Sequence, residues 1–246
     1  MKHGGRGGQR MAKRQPSNVD VWLGRETPHV RKALENASRH FDGNDRLTVN
    51  TLEAVYGQEN SFGVLLGTRG ASGAAGHFQF RATTAREYNL HVSKNNDQRF
   101  DIDYASSVAA RHLKNLDNMF SRKTTVWGTS ETVAVKDARE RYKFVLGAYN
   151  GGQRYVADAQ RLAEKAGKNP RLWADVQAFL ESADTPESTA DQMRQYVETV
   201  PLYEIEFAQK SPADKRLKAK EPRREQYSCA KGHWVTIDDH PVYICA

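Results

Sequence analysis

The sequence predicts a mainly α-helical fold with a small β-hairpin at its C-terminal end, and three observations predict it. Apolar residues recur at i, i+3, i+4 and i+7 in most stretches between residues 21 and 207, the spacing that gathers side chains on one helical face. Only WVTI and PVYI, set around Asp238-Asp239-His240, read as two short facing strands. A chain of 246 residues can bury a sizeable core, while 38% hydrophobic content and a mean hydropathy of −0.77 assign part of it to polar tails.

The elements follow in order. Residues 1–20 form a Gly/Arg/Lys-rich basic arm without the apolar stretch of a secretory leader, so export would need a leader from elsewhere or another route. After a short element at Val21, Thr27 caps a helix that has Pro28 at its first position and runs towards Phe41. In the next helix, Leu52, Val55, Tyr56 and Glu59 share one face. Three are apolar, so the fourth sets a carboxyl on the face that turns inward. Lost hydration favours the protonated form of such a group, the form a general acid needs. Otherwise a glutamate at the end of an apolar stripe is a solvated edge residue. A loop with glycines at 67, 70, 73 and 76 follows, suited to close backbone approach to a ligand.

Residues 81–89 read as a helix, and a longer one follows Asp97 with Ile102, Ala105, Val108, Ala109, His112, Leu113 and Leu116 on its face. His112 is expected as a packed or edge histidine. Residues 121–135 break the rhythm and read as a loop. Tyr142, Val145 and Tyr149 then recur helically up to Gly151-Gly152. Tyr149 is either a core residue or a cleft residue with its hydroxyl at the tip. Helices are expected at 155–166 and 172–180, a polar loop at 181–190, and a last helix through Met193, Tyr196, Val197, Val200 and Tyr203, whole or broken at Pro201.

The ends carry the charge. Residues 1–16 hold five basic groups and no acid, and residues 208–225 hold seven against three, so the formal +7 belongs to the tails. Basic tails suit an anionic polymer or a secretion-apparatus contact, or simply solubilise. No aromatic-basic recognition motif accompanies them, so nucleic acid is not an expected partner. No run approaches the roughly 20 apolar residues of a membrane span. Cys229 and Cys245 flank the hairpin. They fit a disulfide, two unpaired thiols, or a zinc site with His233 and His240, whose spacing matches no standard ligand pattern.

Three ordered motifs carry a resemblance: Glu59-Asn60-Ser61-Phe62, Gly73-Ala74-Ala75-Gly76-His77-Phe78-Gln79, and Ala148-Tyr149-Asn150-Gly151-Gly152. Together they resemble the soluble lytic transglycosylase family over about residues 47–203. The resemblance implies a lysozyme-like helical domain at 21–207, after which the composition reads as a basic linker at 208–226 and a cysteine-containing hairpin at 227–246. It implies cleavage of peptidoglycan glycan strands in the periplasm or cell wall, with Glu59 as the single catalytic glutamate and no metal or cofactor. Ser61, Phe78, Gln79, Tyr88, Tyr149 and Asn150 are the implied substrate contacts. Asn60 stands where the family usually has Ser, and His77-Phe78 where it usually has Leu-Met. No acidic residue follows Glu59 before Glu87. That absence favours a transglycosylase over a hydrolytic, goose-type lysozyme-like muramidase or phage wall-degrading enzyme. A catalytically inactive wall-binding or secretion-apparatus protein is the remaining class.

Overall fold

The structure, a computed structural model, describes residues 15–67, 73–210, 232–237 and 240–245. Residues 1–14 of the basic arm, residues 211–226 of the linker and Cys229 with its pairing fall outside these residues. The chain divides into two compact units, Met1–Ser211 and Pro212–Ala246.

The first unit is helical, as its apolar spacing predicts. Helix α1 (Asn18–Arg25) begins within the stretch expected as an arm, because Ser17 and Asp20 form a capping box around its start. Helix α2 (Pro28–Ala37) has the predicted cap, the Thr27 hydroxyl accepting from the Val30 N–H at 3.2 Å. Helix α3 (Val49–Asn60) is buried all round from Thr51 to Gly57 rather than along one stripe. It packs on α2 and on the last helix, and Trp22 lies against Gly57 so closely that a Cβ there would sit 2.4 Å from the indole.

Helix α4 (Ala82–Glu87) is shorter than its apolar pattern suggested, the chain turning left-handed at Asn89. Helix α5 (Ile102–Phe120) starts on the Asp101 carboxylate, which accepts from the Asp103 and Tyr104 N–H groups. Residues 121–135, expected as loop, include a short antiparallel pair, β1 (Thr125–Trp127) and β2 (Ser130–Glu131). These strands are too short for alternation to announce them. Helix α6 (Ala138–Gly151) is buried at every residue from Phe144 to Ala148, and it packs against α5, α7 (Gln153–Lys165) and the last helix.

The helix expected at 172–180 is broken into α8 (Trp173–Val176) and a 3-10 turn at Gln177–Phe179. Helix α9 (Glu187–Lys210) is whole, passing through Pro201 and beginning inside the stretch expected as polar loop. Val200, Glu204 and Phe207 are all buried around that proline, so packing outweighs the lost backbone bond.

Two polar contacts set how α3 and α9 lie. Near the start of α3 the Thr51 hydroxyl bonds Glu204, whose carboxylate also meets Arg46 at 2.9 Å. Near its end Glu59 meets Tyr196. Both intervals are eight residues and run in opposite senses, so the helices are antiparallel and clasped over about 12 Å.

In the second unit, β3 (Gly232–Ile237) pairs antiparallel with β4 (His240–Cys245), with Trp234 opposite Tyr243 and Ile237 opposite His240. This is the hairpin the sequence predicts.

Candidate active site

Glu59 stands in the last turn of α3, half-buried, just beyond the segment that is enclosed on every side. The Tyr196 hydroxyl of α9 donates to Glu59 Oε1 at 2.9 Å. Burial, with the Glu59 carboxylate nearby, holds the phenols of both Tyr196 and Tyr149 well above the ordinary tyrosine range. Both therefore stay protonated, and Tyr196 is a permanent donor to the carboxyl.

After Glu59 the chain reverses sharply. Ser61 and Phe62 both take the left-handed conformation, at φ 57°, followed by Gly63 at φ 86°. Asn60 holds this turn. Its Oδ1 accepts from the Gly63 N–H at 2.6 Å and its Nδ2 bonds the His77 carbonyl, tying the turn to the glycine loop. The Asn60 side chain is thus spent on the backbone. Ser61 caps α3, and its carbonyl accepts from Arg25 at 2.9 Å.

The loop at 73–80 is held from behind. Arg99, buried and paired with Asp97 at 2.7 Å, donates to the carbonyls of Gly73 and Phe80 at 3.0 and 2.9 Å. The Arg99 carbonyl accepts from the His77 N–H at 2.9 Å and lies where a Cβ on Gly76 would come within 2.0 Å. Gly76 also sits at φ +82°, so both its space and its conformation call for glycine. His77 is engaged at both ring nitrogens. The Phe100 carbonyl, 3.1 Å away, can only accept, so Nε2 carries the proton and Nδ1 accepts from Tyr56 at 3.0 Å. Burial lowers the His77 pKa and keeps this neutral form.

The expected contact residues separate by what they present. Gln79, left-handed at φ 48°, donates through Nε2 to the carbonyls of Gly76 and Leu65, while its Oε1 has no donor among the described residues. Asn150 likewise has its Oδ1 enclosed without a donor. Tyr149 donates to the Phe78 carbonyl at 3.2 Å and stacks on Tyr196, ring centroids 6.2 Å apart. Tyr88 is half-buried and bonded to His112 and Asn115. The expectation of Phe78 as an apolar wall for a sugar ring needs correction. Its side chain is 1% exposed and packs between Tyr56 and Phe80, so Phe78 meets the site only through its carbonyl.

Tyr196 was not among the expected site residues. The Tyr196-Val197 pair read as part of the apolar face of the last helix, and a tyrosine on such a face looks the same whether its hydroxyl meets core or cleft. The charge partner is 137 residues away in sequence, beyond the reach of any local pattern.

A mainly helical domain in which α3 brings Glu59 to the Tyr196 hydroxyl belongs to the lysozyme-like fold class. The Transglycosylase SLT domain family matches residues 42–172, more than half of the chain, and the chain belongs to that family. It is similar to membrane-bound lytic murein transglycosylase F from two strains of Pseudomonas fluorescens, 27% and 26% identical over 179 residues that cover 70% of this chain. A protein of the same name from Marinobacter nauticus is 51% identical over 41 residues, 17% of this chain and 8% of that protein. The chain spans about a third of the length of the Pseudomonas relatives, 33% in each. Among the described residues, no helix is long and apolar enough to cross a membrane.

Proposed function

We propose that this chain is a peptidoglycan lytic transglycosylase that cleaves the β-1,4 bond between N-acetylmuramic acid and N-acetylglucosamine. Glu59 acts first as acid and then as base. The bond from the muramic C1 to the bridging oxygen breaks as that oxygen takes the Glu59 proton. The substrate's own acetamido oxygen stabilises C1. The muramic 6-hydroxyl then attacks C1 and returns its proton to Glu59, leaving a 1,6-anhydro end and consuming no water.

The observation that carries this reading is the Tyr196–Glu59 hydrogen bond. A donor fixed on Oε1 orients the carboxyl towards the bond it protonates in this reading. Gln79 and Asn150 support it, since an enclosed acceptor without a donor suits a sugar hydroxyl or amide N–H. Tyr149, Tyr88 and the turn at Ser61 supply the remaining contacts in this reading.

The other carboxylates have different tasks. Asp97 pairs with Arg99, Asp101 caps α5, and Asp103 faces His29 at 3.3 Å. Glu87 ends α4, exposed. A hydrolase needs a second carboxylate near the acid, and the engagement of Asp97, Asp101 and Asp103 elsewhere supports a mechanism without one. The substrate puts the work in the periplasm or at the cell wall, and the basic tails suit an anionic polymer there.

Mass analysis of soluble products from digested sacculi tests the reading. Anhydro-ended muropeptides are expected, with turnover lowered roughly 10²-fold or more in a folded Glu59→Gln protein. Reducing ends would make the chain a muramidase instead, and no products would leave it a wall-binding protein.

A further inference from the structure

A row of rings leads away from the acid. Tyr196 stacks on Tyr149; His112 of α5 follows at 5.5 Å from Tyr149, and Tyr88 at 5.6 Å from His112, edge-on. Phe80 closes the same side of the imidazole at 5.9 Å. His112 therefore lies two rings from the side chain that holds Glu59.

Its protonation follows from its partners. Asn115 Nδ2 lies 2.9 Å from the Tyr88 hydroxyl, and His112 Nδ1 lies 3.1 Å from the same oxygen. An amide nitrogen can only donate, so the Tyr88 oxygen accepts from Asn115, and the one hydrogen of the hydroxyl is then available to Nδ1. A neutral imidazole that accepts at Nδ1 carries its hydrogen on Nε2. Burial pushes the His112 pKa down to about 4, which keeps the ring neutral through the neutral pH range. Nε2 has no hydrogen-bond partner among the described residues, and His112 is partly exposed. His77, by contrast, has both nitrogens committed. The relay Asn115→Tyr88→His112 thus ends in one oriented N–H with nothing to donate to.

We propose that His112 is a substrate-binding residue, its Nε2–H donating to a neutral oxygen of the glycan at a sugar away from the scissile bond. An acetamido carbonyl or a ring hydroxyl is the matching acceptor, because an uncharged donor gives no preference for an anion. Tyr149 and Tyr88, flanking the imidazole, offer ring surface to the apolar face of the same sugar. Tyr88 and Asn115 are positioning residues in this arrangement, acting through the imidazole tautomer. The inference rests on the reading of this domain as a glycan-cleaving one.

The test uses the Glu59→Gln chain, so that sugar is bound and not cut, with an N-acetylglucosamine tetramer as probe. His112→Phe in that background is expected to weaken binding about 3- to 10-fold, the loss of one neutral hydrogen bond. His112→Gln, whose amide N–H reaches towards the Nε2 position, is expected to recover much of it. Nitrogen-15 imidazole spectra of the wild type should show the Nε2–H tautomer, and Tyr88→Phe should mix the two tautomers. Unchanged affinity in His112→Phe, or an Nδ1–H tautomer in the wild type, overturns the proposal while leaving the activity intact. A parent that neither binds the tetramer nor, as wild type, cuts sacculi overturns the functional reading and this inference with it. Should His112→Phe fail to fold, His112→Gln and Tyr88→Phe decide through affinity and tautomer.

Discussion

At the scale of single residues the proposed mechanism rests on one hydrogen bond to a carboxyl, from Tyr196 to Glu59. Tyr196→Phe removes the donor to Glu59 Oε1 and keeps the ring that stacks on Tyr149. As Glu59 gives up its proton its carboxyl gains charge, and a hydrogen bond to a charged group contributes about 1.5–3 kcal/mol, so turnover should fall about 10- to 100-fold while the melting temperature changes little. Tyr149→Phe loses only the longer bond to the Phe78 carbonyl and should cost less. Turnover on sacculi and a thermal melt of both variants check this; a Tyr196→Phe enzyme as fast as the wild type would show that the hydroxyl does not orient the acid. Glu59 itself was legible, because Leu52, Val55 and Tyr56 mark the face on which it stands. Tyr196 was not, since the sequence shows a tyrosine on an apolar face and says nothing of what its hydroxyl meets.

At the scale of elements, two devices hold the residues in place. One is the antiparallel clasp of α3 and α9 through Thr51–Glu204 and Glu59–Tyr196. The other is the support of the loop at 73–80 by Arg99 and His77. Gly76 and Gly73 separate the effects of conformation and space within that loop. Both are left-handed, at φ +82° and +67°, but a Cβ on Gly76 would meet the Arg99 carbonyl and one on Gly73 would meet nothing within 4 Å. Gly73→Ala should cost about 1–2 kcal/mol of conformational strain alone. Gly76→Ala adds an overpacking cost of about 1–3 kcal/mol and pushes the loop, with the Phe78 carbonyl and Gln79, away from Tyr149. Its activity should fall at least about 10-fold further than that of Gly73→Ala, as measured by turnover and denaturant midpoint. Equal effects in the two variants would mean that the contact with Arg99 does not govern the loop. The glycines and the Gln79 motif were readable in advance. The clamp behind them was not, because Arg99 reads as an exposed basic residue until the fold buries it.

At the scale of the whole molecule, periodicity gave the helices and missed their limits. It shows which residues turn inward but not where packing ends a helix. So α8 came out short, α9 passed through Pro201, and a hairpin too brief to alternate stood where loop was expected. The same packing gives the molecule an acid sensitivity that its composition does not reveal. His112 is enclosed by Phe80, Tyr88 and Tyr149, with Asn115 bonded to the Tyr88 hydroxyl and Arg111 over the Tyr88 ring. Burial lowers its pKa to about 4 from the 6.5 of a free side chain. Between those values the unfolded chain takes up a proton that the folded chain refuses, so stability falls as the pH falls and is fully present above about 6.5. The full shift corresponds to a loss of up to about 3 kcal/mol across the window. His77, lowered by its own burial, adds a loss of the same sign. Asp117 works the other way, since burial raises its pKa and its contribution weakens as the pH rises. Urea unfolding at pH 7.0, 6.0, 5.0 and 4.5 should therefore show stability declining with acid in the wild type. In His112→Phe, whatever that substitution costs at neutral pH, the decline should be shallower. Parallel slopes in the two proteins would mean that His112 takes up its proton as easily folded as unfolded, and the enclosed neutral imidazole would have to be given up.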